Sequence, residues 1–171
     1  IWGVVMMFTG LFSKSNTTVR VAAVSGITAL LVVNILEMNG FTFFTVDVKN
    51  MFVFDNFSLL FNAIAFAATL VYFLLSGRDI ARVGINVAEY YALIFFILCG
   101  ISIASSFNNL LLLFLGIEII SIPLYILTGT DKRNLKSNEA SLKYLLMGAF
   151  STGLMLMGIT LIYGTRGSFD L

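Results

Sequence analysis

Two ionisable residues lie inside long apolar runs, and they are the ones in a position to do chemistry. Glu118 stands in the middle of 108–129, NNLLLLFLGIEIISIPLYILTG, a run long enough to cross a bilayer. A bare charge at the bilayer centre costs at least roughly 2.5–3.5 kcal/mol on insertion scales, so such residues are rare and face a protein interior or water. A carboxyl there is either a neutral acid hydrogen-bonded to a neighbouring helix or a relay site for a proton or ion. Five residues on comes Pro123, the one proline in the chain. Proline has no N–H and clashes with the carbonyl four residues back, which predicts a bend and a freed Ile119 carbonyl. In lipid both the carboxyl and that carbonyl need partners from neighbouring helices or water.

Lys143 lies one turn inside the next apolar run, 139–163. It reads as an anchor whose ammonium snorkels to the interface, as an i, i+4 partner of Glu139, or as a proton carrier coupled to Glu118. The two runs are antiparallel and joined by a short loop, so they pack together. Helical rise puts Glu118 about 15 Å and Lys143 about 6 Å below the shared end, an offset of roughly 9 Å. That offset argues against a tight salt bridge and for a link through water. Spacing alone leaves anchor and relay both open.

These residues need membrane helices to hold them, and the composition supplies them. Of 171 residues 59% are hydrophobic and 11% charged. Soluble domains carry about 25% charged residues, so this chain lacks the polar surface to cover itself. The apolar runs are unbroken and longer than the roughly ten-residue alternating strands of a membrane barrel. The fold class is therefore all-α transmembrane, a single membrane domain over 1–171. Its spans fall at 1–12 (partial), 19–38, 56–76, 89–106, 108–129 and 139–163: about five full helices after a truncated first. Ile1 is not a start residue, and 1–12 has neither the length of a span nor the basic region and cleavage site of a signal peptide. We therefore read the chain as a piece of a longer membrane protein.

Loop charge supports this map. Lys14, Arg20, Arg78, Arg82, Lys132, Arg133 and Lys136 follow spans one, three and five, whereas only Lys49 and Arg166 lie on the other side. Positive residues concentrate in cytoplasmic loops, so those turns face the cytoplasm and the N-terminus faces outward. Tyr72, Tyr90, Tyr91, Tyr125 and Tyr163 fall near span ends, as interfacial aromatics do. Asp55 is placed to cap the third span, and Asn108 and Asn109 the fifth. Segment 39–54 reads as a longer loop, a short hairpin or interfacial stretch. Glu37, Asp79, Glu89, Asp131 and Glu139 read as solvated groups or caps. The small residues Gly148, Ala149, Ser151, Gly153 and Gly158, and the alanines 63, 65, 67 and 68, read as helix-packing faces. The chain has no histidine and one cysteine, Cys99, inside an apolar run. No haem, zinc or iron–sulfur site is expected, and Cys99 reads as a packing residue. No nucleotide motif is present, and the net charge of +1 gives no reason to expect a nucleic-acid partner.

Two stretches carry a resemblance. FLGIEIISIPLYILTG (114–129) and RNLKSNEASLKYLLMGAFSTGLMLMGITLIYG (133–164) closely resemble the subunit N family of bacterial complex I, the proton-pumping NADH–quinone oxidoreductase. Its mitochondrial counterpart is NADH dehydrogenase subunit two. VFDNFSLLF (53–61) and EYYALIFFILCGISIASSFNNLLLLFLG (89–116) match less specifically. The resemblance runs from about 55 to 164. Sister subunits M and L and the related multisubunit cation/proton antiporters share the glutamate and the lysine but differ around them.

The resemblance implies an antiporter-like inverted-repeat fold, of which this is the first part. It implies that Glu118 and Lys143 belong to a chain of buried charges carrying protons through a membrane arm. The family's broken seventh helix, whose lysine pairs with the glutamate, and its second repeat lie beyond this sequence. NADH, FMN, iron–sulfur clusters and quinone would be held by partner subunits, and none by this chain. The partners implied are membrane-arm subunits of the A, J, K, M and L types in the bacterial cell inner membrane. The rival reading is a subunit of a multisubunit Na⁺/H⁺ antiporter using the same pair. A third is a structural scaffold without a relay.

Overall fold

The structure, a computed structural model, describes residues 1–12, 15–41, 51–76 and 86–170. Lys14, Lys49, Arg78, Asp79, Arg82 and most of segment 39–54 lie outside the described residues. Six helices follow in order: α1 (Trp2–Phe12), α2 (Asn16–Met38), α3 (Asn56–Leu75), α4 (Val87–Ser105), α5 (Leu110–Thr128) and α6 (Leu135–Arg166). All but α1 are long and apolar enough to cross a membrane.

Lipid tails are as apolar as leucine, so burial does not drive these helices together. Close packing and polar contacts do. α4 sits at the centre, packed on α1, α3 and α5, with α2 against α3. Its contact with α5 is backbone to backbone: a Cβ added to Gly100 would lie 2.9 Å from the Gly116 carbonyl oxygen, and one on Gly116 2.9 Å from the Ala104 nitrogen. On its other side the core gathers Met6, Ala23, Ile27, Phe73, Tyr91 and Phe95. Phe73 meets Tyr91 edge-on at 4.7 Å and Phe95 at 5.8 Å, the favoured geometry for ring quadrupoles. Tyr91 is thus a core residue, 1% exposed, and not an interfacial one. Cys99 is exposed.

The end of the bundle that carries Lys132, Arg133 and Lys136 is closed by polar ties. Arg20 Nη2 donates to the Leu74 carbonyl at 2.7 Å, which sets a cation on the last turn of α3. The Tyr72 and Tyr90 hydroxyls share a hydrogen bond between α3 and α4. The opposite end is closed by main-chain pairing. Val53 N–H donates to the Ser106 carbonyl at 2.9 Å, Asn108 N–H to the Met51 carbonyl at 3.0 Å, and Leu110 N–H to the Phe169 carbonyl at 3.0 Å. Segments 51–53, 106–109 and 169–170 therefore form a small layer of isolated bridges.

Near this layer the core stripe turns polar. Asn34 on α2, Ser58 and Asn62 on α3 and Ser106 after α4 are all buried. Ser105 Oγ donates to Asn62 Oδ1 at 3.1 Å. Asn34 Oδ1 is buried and has no hydrogen-bond partner among the described residues.

Candidate functional site

The site is the α5–α6 hairpin. Asn109 opens α5 by accepting from the Leu111 N–H at 2.9 Å, as its position predicts. Asp55 takes the corresponding place at α3 but makes no side-chain cap. α5 continues as helix through Pro123. Beside the proline, Ser121 Oγ donates back to the Ile117 carbonyl at 2.7 Å, a bond that loosens a helix locally.

The last carbonyls of any helix lack intrahelical partners. In α5 two of them are served from α6: Ser137 Oγ donates to the Thr128 carbonyl at 2.8 Å and Ser141 Oγ to the Tyr125 carbonyl at 2.8 Å. Asn134 caps α6 through the Lys136 N–H at 3.0 Å, which starts that helix before the apolar run 139–163. Tyr125 packs edge-on to Tyr144 at 4.8 Å, and its hydroxyl fills the space over Gly148. Ser137, Ser141, Tyr144 and Gly148 recur at helical spacing, so one stripe of α6 faces α5.

That register places the charged residues. Gly116, Ile120 and Pro123 form the side of α5 against α4. Glu118 lies on the other side, seven residues and so two turns before Tyr125 on the same stripe. It is half-buried. Next to it runs a bare flank of Leu111, Leu115, Ile122 and Ile126, all exposed. Glu118 thus stands between the α6-facing stripe and an uncovered face.

Lys143 is elsewhere. Its ammonium is paired with Glu139 Oε1 at 2.5 Å, the i, i+4 partner, and the two side chains are 69% and 63% exposed. At 100° per residue this pair projects from the side of α6 away from α5. No hydrogen bond or ion pair joins Glu118 to Lys143, and the hairpin register keeps them roughly 9 Å apart along the axis. The structure therefore positions each residue but does not bring them together. It shows Lys143 paired with Glu139, one of the readings that the four-residue spacing gave. The hydroxyl ties of Ser137 and Ser141 were missed, because a serine at a helix start reads from sequence as solvated. Among the described residues no cluster of histidine, cysteine or carboxylates could hold a metal.

The family described as NADH:quinone oxidoreductase/Mrp antiporter, TM, matches residues 107–171, the site hairpin. NADH-quinone oxidoreductase subunit N of Cytophaga hutchinsonii is 44% identical over 140 residues, covering 81% of this chain and 31% of that protein. The subunit N of Flavobacterium psychrophilum is 38% identical over 169 residues, 99% of this chain and 36% of that protein. Among solved structures, respiratory complex I from Thermus thermophilus with bound aureothin aligns at a TM-score of 0.78 and 28% identity, over 99% of this chain and 36% of that one. An archaeal membrane-bound sulfane sulfur reductase aligns at 0.85 with 18% identity, a likeness of fold alone. Matched over 81–99% of its residues to about a third of each relative's length, this membrane-spanning chain belongs to the subunit N family of NADH-quinone oxidoreductases.

Proposed function

We propose that these helices are the leading part of a proton-translocating subunit in the membrane arm of an NADH-quinone oxidoreductase. Glu118 and Lys143 act as members of a buried proton relay. The redox cofactors and the quinone belong to other subunits, and the neighbours are membrane-arm subunits of the A, J, K, M and L types. The observation that carries this reading is Glu118 itself: a half-buried carboxyl in the middle of an apolar span, on the border of a bare flank. An acid so placed is retained against a large desolvation cost, which is the mark of an ion or proton path.

In this reading Glu118 exchanges a proton with a group brought against the bare flank, through water where α5 and α6 meet. Lys143, held by Glu139, presents its charge to a helix on the far side of α6. A change of charge at one member alters the proton affinity of the next through the low-dielectric interior. The family description covers antiporters as well. The NADH-quinone oxidoreductase reading is preferred because relatives of that name match at 38–44% identity.

The test is Glu118→Gln in the complete subunit within the assembled complex, measuring protons moved per NADH oxidised. The glutamine keeps size and hydrogen bonding but cannot carry the proton. Pumping should fall at least tenfold, with Glu118→Asp retaining part of it. An unchanged ratio would end the proposal.

A further inference from the structure

α3 and α5 both pack on α4, and the surface beside α4 is hollowed at successive points along its length, which together form a shallow groove. Three cavities line this groove. The first, about 490 Å³, lies at the start of α4 and is walled by Glu89, Tyr90, Ile126, Asp131, Lys132 and Arg133. The second, about 340 Å³, shares Tyr90 with the first and adds Ala68, Thr69 and Tyr72. The third, about 540 Å³, shares Ala68 with the second and continues past Ala65, Ala104 and the rings of Phe57 and Phe61. The first two cavities meet at Tyr90 and the last two at Ala68, so they follow one another along α4, polar at the basic end and apolar along the span.

The polar end has a definite charge pattern. Lys132 and Arg133 form no ion pair among the described residues, and neither does Asp131. One oxygen of Glu89 accepts from Asn86 Nδ2 at 2.9 Å, which leaves the other open. Two cations and two carboxylates thus surround a single cavity at the depth of a lipid headgroup. A simple anion would meet the two cations and also the two carboxylates. A zwitterion carrying a phosphate and a primary ammonium satisfies both sets.

We infer that this groove holds one aminophospholipid, with its phosphate on Lys132 and Arg133, its ammonium on Glu89 and Asp131, and an acyl chain laid over Ala68, Ala65 and Ala104. From Glu89 to Ala104 the path follows α4 for roughly 22 Å by helical rise, about one and a half leaflets of the roughly 30 Å hydrocarbon core. The small alanines keep the floor low enough for the chain, and the phenylalanines wall its far end.

The test uses the complete subunit in its native complex, delipidated in mild detergent and then offered equal amounts of phosphatidylethanolamine and phosphatidylglycerol. Native mass spectrometry of the released subunit counts the lipid retained. One phosphatidylethanolamine should remain per subunit, at least tenfold over phosphatidylglycerol. Lys132→Gln with Arg133→Gln, Glu89→Gln with Asp131→Asn, and Ala68→Phe should each cut retention at least tenfold. Equal retention of the two lipids by the unmodified complex, or none, would overturn the inference whether or not the variants assemble. So would a photo-crosslinker at Ala68 that captures a protein helix instead of lipid.

Discussion

Ser141 Oγ donates to the main-chain carbonyl of Tyr125 at 2.8 Å, and this bond sets the relative depth of Glu118 and Lys143. With its neighbour from Ser137 to Thr128 it fixes the register of α5 against α6. Interhelical hydrogen bonds in membranes are worth about 0.6 kcal/mol on average, reaching about 1.7 kcal/mol. Ser141→Ala should therefore lower the stability of the subunit by about 0.5–1.5 kcal/mol, and the double Ser137→Ala/Ser141→Ala variant by more. Denaturant titration in detergent reads the difference, and Ser141→Thr should restore most of it.

Gly100, Gly116 and Gly153 should respond differently to the same methyl group. A Cβ on Gly100 or Gly116 meets the backbone of the facing helix at 2.9 Å, whereas Gly153 has nothing within 4 Å. Overpacking against backbone costs about 1–3 kcal/mol. Gly116→Ala and Gly100→Ala should lower thermal stability in detergent by amounts in that range. Gly153→Ala should leave it unchanged or raise it slightly, since alanine is the better helix former.

Asn34 and Asn62 are both buried amides, but only Asn62 is bonded, to Ser105. A buried polar atom without a partner costs about 1–3 kcal/mol. Asn34→Leu should accordingly be neutral or stabilising by about 1 kcal/mol. Asn62→Leu should destabilise, because it removes a hydrogen bond between α3 and α4 and leaves the Ser105 hydroxyl only the Ser102 carbonyl of its own helix. Unfolding curves of the two variants side by side decide the point, and destabilisation by Asn34→Leu would mean that the amide has a partner in the complete subunit.

Glu139 and Lys143 should act as one unit. In the proposed relay Glu139 holds the ammonium in place on the far face of α6. Glu139→Gln and Lys143→Gln should each reduce proton pumping by the complete complex, and the double variant should be no worse than Lys143→Gln alone. Fully additive losses would show that the two do not cooperate.

The helices were legible because composition and run length decide them: five long apolar runs become five long helices. That Glu118 lies inside an apolar helix was legible for the same reason; its half-buried place beside a bare flank was not. What the sequence concealed depends on which side of each helix meets a neighbour. Ser137 and Ser141 serve carbonyls that only the folded hairpin brings near. Tyr91 and Tyr125 sit near span ends, yet both turn inward. Of the alanines of α3, Ala65 does pack against the core, whereas Ala68 is exposed and lines a cavity beside α4. Gly148 does take part in packing, but its partner is a tyrosine ring and not another backbone.

α5 and α6 are fastened at both extremities, by two serine hydroxyls at one and by Asn109 to Asp170 at 3.0 Å at the other. Between those fastenings the stripe of α6 that faces α5 runs on from Gly148 through Thr152 to the buried Ile159, and among the described residues no hydrogen bond joins the two helices there. In the proposed relay, such a ladder, firm at its end rungs and without one in the middle, admits and releases a file of water while its rails stay put. On that proposal the carboxyl is wetted or dried without disturbing the bundle that carries it.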